Sequence, residues 1–320
     1  SYIFLLEYYY YTKDIQVVDH VRKTLKHISN GGIYDHVGGG FARYSVDTEW
    51  KVPHFEKMLY DNAQLVSLYA RLYQLTKDNL CRNTVYETLQ FIQREMMSPE
   101  YAFYSALDAD SEGIEGKYYV WEKKEIDALT GDKSRMFSTW YNVKEKGNWE
   151  GFGNILYVDK TIEETSTYFD IEPAVFIKEM TQCRDILLQA RSKRIRPGLD
   201  DKILTSWNGL MLKAFVDAYR IFDDQRFLNI AENNAHFIVG NLLKENFQLY
   251  RTYKNGKAHI NAFLDDYAII ASAFTELYQA TLDVKWLEYA RKLTDYAITH
   301  FYDEQSGMFF YTSDMDDIVV

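Results

Sequence analysis

An all-α fold of paired helices is predicted by this sequence, and three observations predict it. Apolar residues recur at helical spacing along most of the chain, the mark of packed amphipathic helices. A Tyr five residues before an Asp returns four times, at Tyr9/Asp14, Tyr73/Asp78, Tyr219/Asp224 and Tyr278/Asp283. After each Asp a second periodic segment follows at once, as in an antiparallel helical hairpin with a short joint. The Asp positions lie 64, 146 and 59 residues apart, which gives four hairpins with one large insertion between the second and third. A period near 60 is too long for tetratricopeptide or ankyrin repeats. It suits an (α/α) toroid in which inner and outer helices alternate.

The first hairpin runs through YIFLLEYYYYTKD and IQVVDHVRKTLKHI. It opens like the interior of a helix, so the chain is expected to begin inside a larger protein. The second pairs YDNAQLVSLYARLYQLTKD with NLCRNTVYETLQFIQREM; Pro53 suits the first position of its inner helix. An insertion at about 122–204 carries a short strand around NILYV and a helix from Glu172 to Arg191, begun by Pro173. The third and fourth inner helices, SWNGLMLKAFVDAY and DDYAIIASAFTELY, place Gly209 and Ala268 in register with Ala63 of the second. Residues 1–320 thus read as a single toroid domain. Six hairpins would close such a ring, so the remainder is expected past Val320.

Aromatics make up 16% of residues, which suits either a thickly packed helical core or a cavity lined with flat faces, with most of them expected in the core. The net charge of −11 comes without a basic tract, which argues against nucleic-acid binding through phosphates. Cys81 and Cys183 lie far apart with no CxxC, against a disulfide scaffold or zinc site. No stretch approaches the ~18 apolar residues of a membrane span, and none of the given residues reads as a signal peptide. A cytoplasmic protein with no metal and no cofactor is the expectation.

The hairpin topology puts the short joints on one face and the long connectors on the other. Sites concentrate on loops presented by a rigid scaffold. In GGIYDHVGGGFARYSVDTEWKVPHFEKMLYDN, residues 31–62, His36 and His54 are the imidazole candidates. With Pro53 at a helix start, His54 and Asp61 are seven residues apart and share a face, as a general base and its carboxylate would. Tyr34, Phe41, Arg43 and Trp50 flank them as substrate contacts, and the glycines are expected to shape a cavity mouth. The segment lacks GxGxxG spacing and a preceding strand, so it is no nucleotide loop. SALDADSEG supplies Asp108 and Asp110. Tyr119 stands where a calcium loop needs its bidentate Glu, so these carboxylates are offered to a sugar instead. Asp200/Asp201 and Asp265/Asp266 precede the third and fourth inner helices. Capping explains one Asp of each pair and leaves Asp201 and Asp266 as catalytic candidates, with Trp207 and Asn208 beside them.

The strings GGIYDHVGGGFARYSVDTEWKVPHFEKMLYDNAQL, FYSALDADSEGIEGKYYVW, RPGLDDKILTSWNGLM and FLDDYA resemble the large thioredoxin-domain-containing proteins related to spermatogenesis-associated protein 20. The resemblance runs from about Phe4 to Val320. It implies an all-helical six-hairpin toroid of the glycosidase or N-acylglucosamine 2-epimerase type, with a thioredoxin-like domain elsewhere in the full-length protein. By analogy with that fold, a sugar epimerase or isomerase would use His36 and His54, with Asp61 orienting one of them. A glycoside hydrolase or lyase would use Asp108, Asp110, Asp201 and Asp266. A non-catalytic carbohydrate- or protein-binding module is the third reading. A small-molecule or oligosaccharide ligand is the expected partner.

Overall fold

The structure, a computed structural model, describes residues 2–151 and 153–316. The last residues of FFYTSDMDDIVV therefore lie outside the described residues. Twelve helices follow one another within the described residues: α1 (Tyr2–Thr12), α2 (Ile15–Asn30), α3 (Leu59–Thr76), α4 (Asn79–Phe91), α5 (Lys123–Thr130), α6 (Ser134–Trp140), α7 (Ile162–Tyr168), α8 (Pro173–Arg191), α9 (Thr205–Phe222), α10 (Gln225–Asn241), α11 (Leu264–Thr281) and α12 (Val284–Phe301). The strands are short, from two to five residues.

The four hairpins predicted from the repeat are α1/α2, α3/α4, α9/α10 and α11/α12, and their joints explain its spacing. Asp14, Asp78, Asp224 and Asp283 each accept a hydrogen bond from the backbone N–H two residues on, at 3.0–3.1 Å. Each thus caps the second helix and satisfies one of its orphan donors. The preceding residue, Lys13, Lys77, Asp223 or Leu282, sits at φ +55 to +58°. Its N–H donates to the carbonyl of Tyr9, Tyr73, Tyr219 or Tyr278 at 2.7–2.8 Å, closing the first helix with a left-handed cap. The Tyr-to-Asp interval is therefore the length of a C-cap followed directly by an N-cap.

The chain divides into two compact units. Unit 2 comprises residues 59–85, 92–106 and 199–320. Within it α3, α9 and α11 run parallel, side by side. Tyr60 meets Trp207 at 4.7 Å where α3 and α9 begin, and Tyr73 meets Phe222 at 5.0 Å where they end. Ser206 N–H donates to Asp266 at the starts of α9 and α11, while Arg220 reaches Glu276 farther along both. Gly209 lets α9 and α11 close up, because a Cβ there would lie 2.8 Å from Ile270 and 2.9 Å from Ile269. Phe215, Leu212, Leu72, Phe274 and Leu277 are fully buried in this unit, each stabilising it by roughly 1.5–3 kcal/mol. In unit 2 the starts of all three inner helices lie at one end and the short joints follow at the other.

Unit 1 comprises residues 1–58, 86–91 and 107–198. Its core joins α5, α6 and α8 through Trp121, Ile126, Phe137, Tyr141, Phe176 and Leu187. Helix α8 begins at Pro173 as expected. The strand expected around NILYV is reduced to a single bridge between Trp121 and Asn154. A larger correction concerns Pro53. It opens no helix: Pro53–His54 is a strand paired antiparallel with Tyr44–Ser45, and α3 starts at Leu59. Pro53, Phe55 and Lys57 are buried while His54, Glu56 and Met58 are half-buried, the period of two of an extended chain.

Candidate functional site

The glycine-rich loop of unit 1 folds around Asp35. Its Oδ1 accepts the N–H groups of Val37 and Gly38 at 3.0 Å, and Arg191 donates to both carboxylate oxygens at 2.9 Å. Lys57 Nζ lies 2.8 Å from Oδ2 and from the Gly39 carbonyl, above the Phe91 ring at 4.3 Å. All three charged side chains are less than one-tenth exposed. Burial alone would raise the Asp35 pKa, but Arg191 and Lys57 outweigh it and hold the carboxyl far below its ordinary range. Gly39 and Gly40 stand at φ +78° and +81°. A Cβ on Gly39 would lie 2.4 Å from the Glu87 carbonyl oxygen, and one on Gly40 at 2.4 Å from the Phe91 ring. These glycines serve a close backbone approach inside the unit.

His36 is enclosed by the same loop. Its Nε2–H donates to the Gly31 carbonyl at 3.0 Å, and Tyr34 and Tyr141 pack on its ring, each at 5.4 Å. Burial lowers its pKa to about 4, against the raising effect of the Gly31 hydrogen bond. The ring is therefore neutral at pH 7. Tyr34 donates to Glu87 at 2.7 Å and Phe41 is fully buried against it. The cavity bordered by Asp35, His36 and Lys57 measures about 30 Å³, room for a water and not for a sugar ring. The expected mouth is thus a packed interior, with Tyr34, His36 and Phe41 inside it.

The opposite face of the Pro53–Met58 segment is open. His54 Nδ1 lies 2.8 Å from Glu115 Oε1, and its Nε2 is 3.8 Å from Glu56. Tyr44 stacks on the imidazole at 4.9 Å, and Arg43 holds Glu56 at 3.2 Å. The His54 side chain keeps 29% of its surface exposed. Glu115 reaches it from a β-hairpin, Asp110–Ser111 against Ile114–Glu115, whose tip residues Glu112 and Gly113 have φ +55° and +73°, as in a type I′ turn. Asp110 is exposed at the start of that hairpin and Asp108 is exposed just before it, with the Asp110 N–H on Asp108 Oδ1. Trp50 is half-buried at φ +62°. Glu115 and Glu56 are the partners that sequence reasoning missed. The alternation in PHFEKM carries Glu56 to His54's face, but Glu115 is 61 residues away and no local pattern announces it.

Asp61 belongs to unit 2, half-buried in the first turn of α3. A helical face shared with His54 does not exist, since His54 precedes the helix. At the starts of the inner helices Trp207 is half-buried against Tyr60, while Asn208 is saturated. Its amide accepts from Phe103 N–H and Asn234 and donates to the Phe103 and Leu204 carbonyls, leaving nothing for a ligand. Asp266 is fully buried, accepting from Ser206 N–H, Phe263 N–H and Arg251. Burial raises its pKa, against the lowering effect of Arg251. Asp201 is 43% exposed, with Lys254 Nζ at 2.6 Å.

No protein-family model matches the chain. Over a 321-residue alignment it is 35% identical to spermatogenesis-associated protein 20 of Homo sapiens, covering 90% of this chain and 41% of that protein. This chain is its homologue over that span. An uncharacterized protein of Caenorhabditis elegans is likewise 35% identical over 85% of this chain and 42% of its own length. The chain thus spans about two fifths of the length of the curated relatives it matches.

Among solved structures, a family 76 glycoside hydrolase from a bovine Bacteroides thetaiotaomicron strain covers 96% of this chain and 48% of its own at 14% identity, with a TM-score of 0.57. The unsaturated glucuronyl hydrolase of Bacillus sp. GL1 covers 96% of this chain and 63% of its own at 10% identity and 0.56. An inactive variant of an α-1,6-mannanase from Salegentibacter sp., with two adjacent aspartates changed to alanine and α-1,6-mannotetrose bound, covers 95% of this chain and 64% of its own at 13% identity and 0.54. These likenesses establish the fold: mostly helical, of the six-hairpin glycosidase class. Among the described residues no helix is long and apolar enough to cross a membrane.

Proposed function

We propose that this chain is a carbohydrate-active protein in which His54, oriented by Glu115, transfers the proton. The observation that carries the reading is the 2.8 Å contact between His54 Nδ1 and Glu115 on an open face of unit 1. A carboxylate on Nδ1 fixes the tautomer, presents Nε2 as the working nitrogen and stabilises the imidazolium that forms on proton uptake. The fold's likeness to glycan-directed hydrolases supplies the substrate class as analogy. Proton removal and return beside a sugar carbonyl, as in an epimerase or isomerase, fits one accessible imidazole. Exchange between two histidines does not, because His36 is enclosed.

A second reading, hydrolysis by carboxylates, is favoured by one observation. Asp201 is half-buried within an aspartate doublet, its side chain 43% exposed, and the mannanase variant altered at two adjacent aspartates is inactive. The test is a screen of mono- and disaccharides against the full-length protein, by thermal shift and then by turnover. His54→Gln is expected to lower turnover by roughly 10²–10⁴-fold, with Asp201→Asn close to wild type. The reverse pattern selects hydrolysis. Binding without turnover in the wild type removes the enzymatic reading and leaves a binding module.

A further inference from the structure

We infer that the glycan taken at this site carries no acidic group. The inference rests on the carbohydrate reading above and adds the substrate class to it. Beside the His54–Glu115 pair, unit 1 carries an open groove of about 620 Å³ that Glu115 itself lines. That volume lies in the range of ligand-binding clefts and is ample for a disaccharide. Trp149 forms part of its wall, half-buried and propped by Phe55 with ring centroids 5.1 Å apart. A flat indole held from behind is a surface on which the apolar face of a sugar ring can lie.

Charge decides which sugar. Five glutamates line the groove, Glu112, Glu115, Glu122, Glu125 and Glu150, against the three cations Lys117, Lys193 and Arg194. Two of those cations are already engaged. Lys117 Nζ is 2.7 Å from Glu112. Arg194 donates to both oxygens of Glu125 at 2.9 and 2.8 Å and to the carbonyls of Tyr118 and Val120, with its guanidinium 3.9 Å above the Trp121 ring. The same pairs neutralise Glu112 and Glu125, and Lys124 lies 2.8 Å from Glu122, which leaves Glu115 and Glu150 against Lys193. A uronate, sulfated or phosphorylated sugar would enter against an excess of like charge, an arrangement that rejects a partner as effectively as contacts select one. Sugar hydroxyls and amines, in contrast, are donors, and carboxylates are acceptors for them.

The experiment is titration of the full-length protein at low salt, by calorimetry or NMR, with three oligosaccharides of matched length: neutral manno-oligosaccharide, glucosamine oligosaccharide and one bearing a terminal glucuronate. At least one of the first two is expected to bind ten times tighter than the uronate. Trp149→Ala is expected to weaken that binding fivefold or more, and Trp149→Tyr, which keeps a ring, to retain it. Glu112→Gln combined with Glu150→Gln is expected to narrow the gap to the uronate at least threefold. Equal or tighter uronate binding by the wild type overturns the inference while leaving the carbohydrate reading standing. Indifference of binding to Trp149→Ala removes the groove as the site. No binding of any of the three to folded protein overturns both.

Discussion

His36 and His54 carry the same side chain on one connector, 18 residues apart, and their surroundings separate their properties. Above its ordinary value of 6.5, His36 is neutral in both the folded and the unfolded chain and contributes nothing to pH dependence. As pH falls below 6.5, the unfolded chain takes up a proton that the folded ring refuses until about 4. Stability attributable to His36 is therefore lost across that window and levels off beneath it, by about 3 kcal/mol in all. Urea unfolding of wild type and His36→Gln between pH 7 and 4.5 checks this, since the variant should lack that part of the slope; parallel curves would sink the assignment. Asp35 titrates in a lower window. Its depressed pKa supports stability above the ordinary carboxylate range, and that support is lost as the pH falls through and below it. Replacing it, Asp35→Ala, strands Lys57 and Arg191 in the interior, and is expected to cost about 3–5 kcal/mol in the same unfolding assay. Both histidines were visible as candidates in the sequence. What enclosed one and exposed the other was not, because Tyr141 and Glu115 arrive from distant segments.

Helices and their joints were the legible elements. A 3.6-residue period sustained over five turns is hard to mistake, and the Asp caps punctuate it. The segment from Pro53 to Met58 was misread because a Pro before an apolar, charged run also suits a helix start. Its period of two extends over only six residues, too few to outweigh that signal. The glycine-rich loop was recognised as unusual, and within it Gly39 and Gly40 answer to Glu87 and Phe91 inside unit 1. Gly39→Ala tests this. Strain at positive φ costs about 1–3 kcal/mol, and the Cβ would press on a backbone carbonyl that cannot rotate away. Gly113→Ala, at an exposed hairpin tip with nothing within 4 Å of the added Cβ, bears the strain alone. The first variant should therefore show the larger fall in Tm.

At the scale of the whole molecule, the repeat disclosed the fold class, because four copies of one joint fix how many hairpins there are and where their ends lie. Long-range polar contacts were invisible in the same text. Asn208 joins Phe103, 105 residues earlier, to Asn234, 26 residues later, and thereby pins the 98–105 segment to α9 and α10 within unit 2. Asn208→Ala should cost about 1–3 kcal/mol for each buried group it orphans, read as a lower denaturation midpoint, with sugar affinity of the folded protein unchanged. An affinity loss without a stability loss would return Asn208 to the ligand. The net charge of −11 fits the same picture, with acidic side chains used as caps and as partners for buried cations.

The alternating burial from Pro53 to Met58 also sets a rule for how this chain can change length. Adding one residue between Phe55 and Glu56 would swap the two faces from that point on. Glu56 would turn inward toward an anion it repels, and Lys57 outward away from Asp35. Insertions at the exposed 112–113 tip or in the 46–49 turn need not disturb that parity. Related chains that keep both the Asp35–Lys57–Arg191 contacts and the His54–Glu115 pair should therefore vary in length at those turns and hold a fixed count between His54 and Lys57.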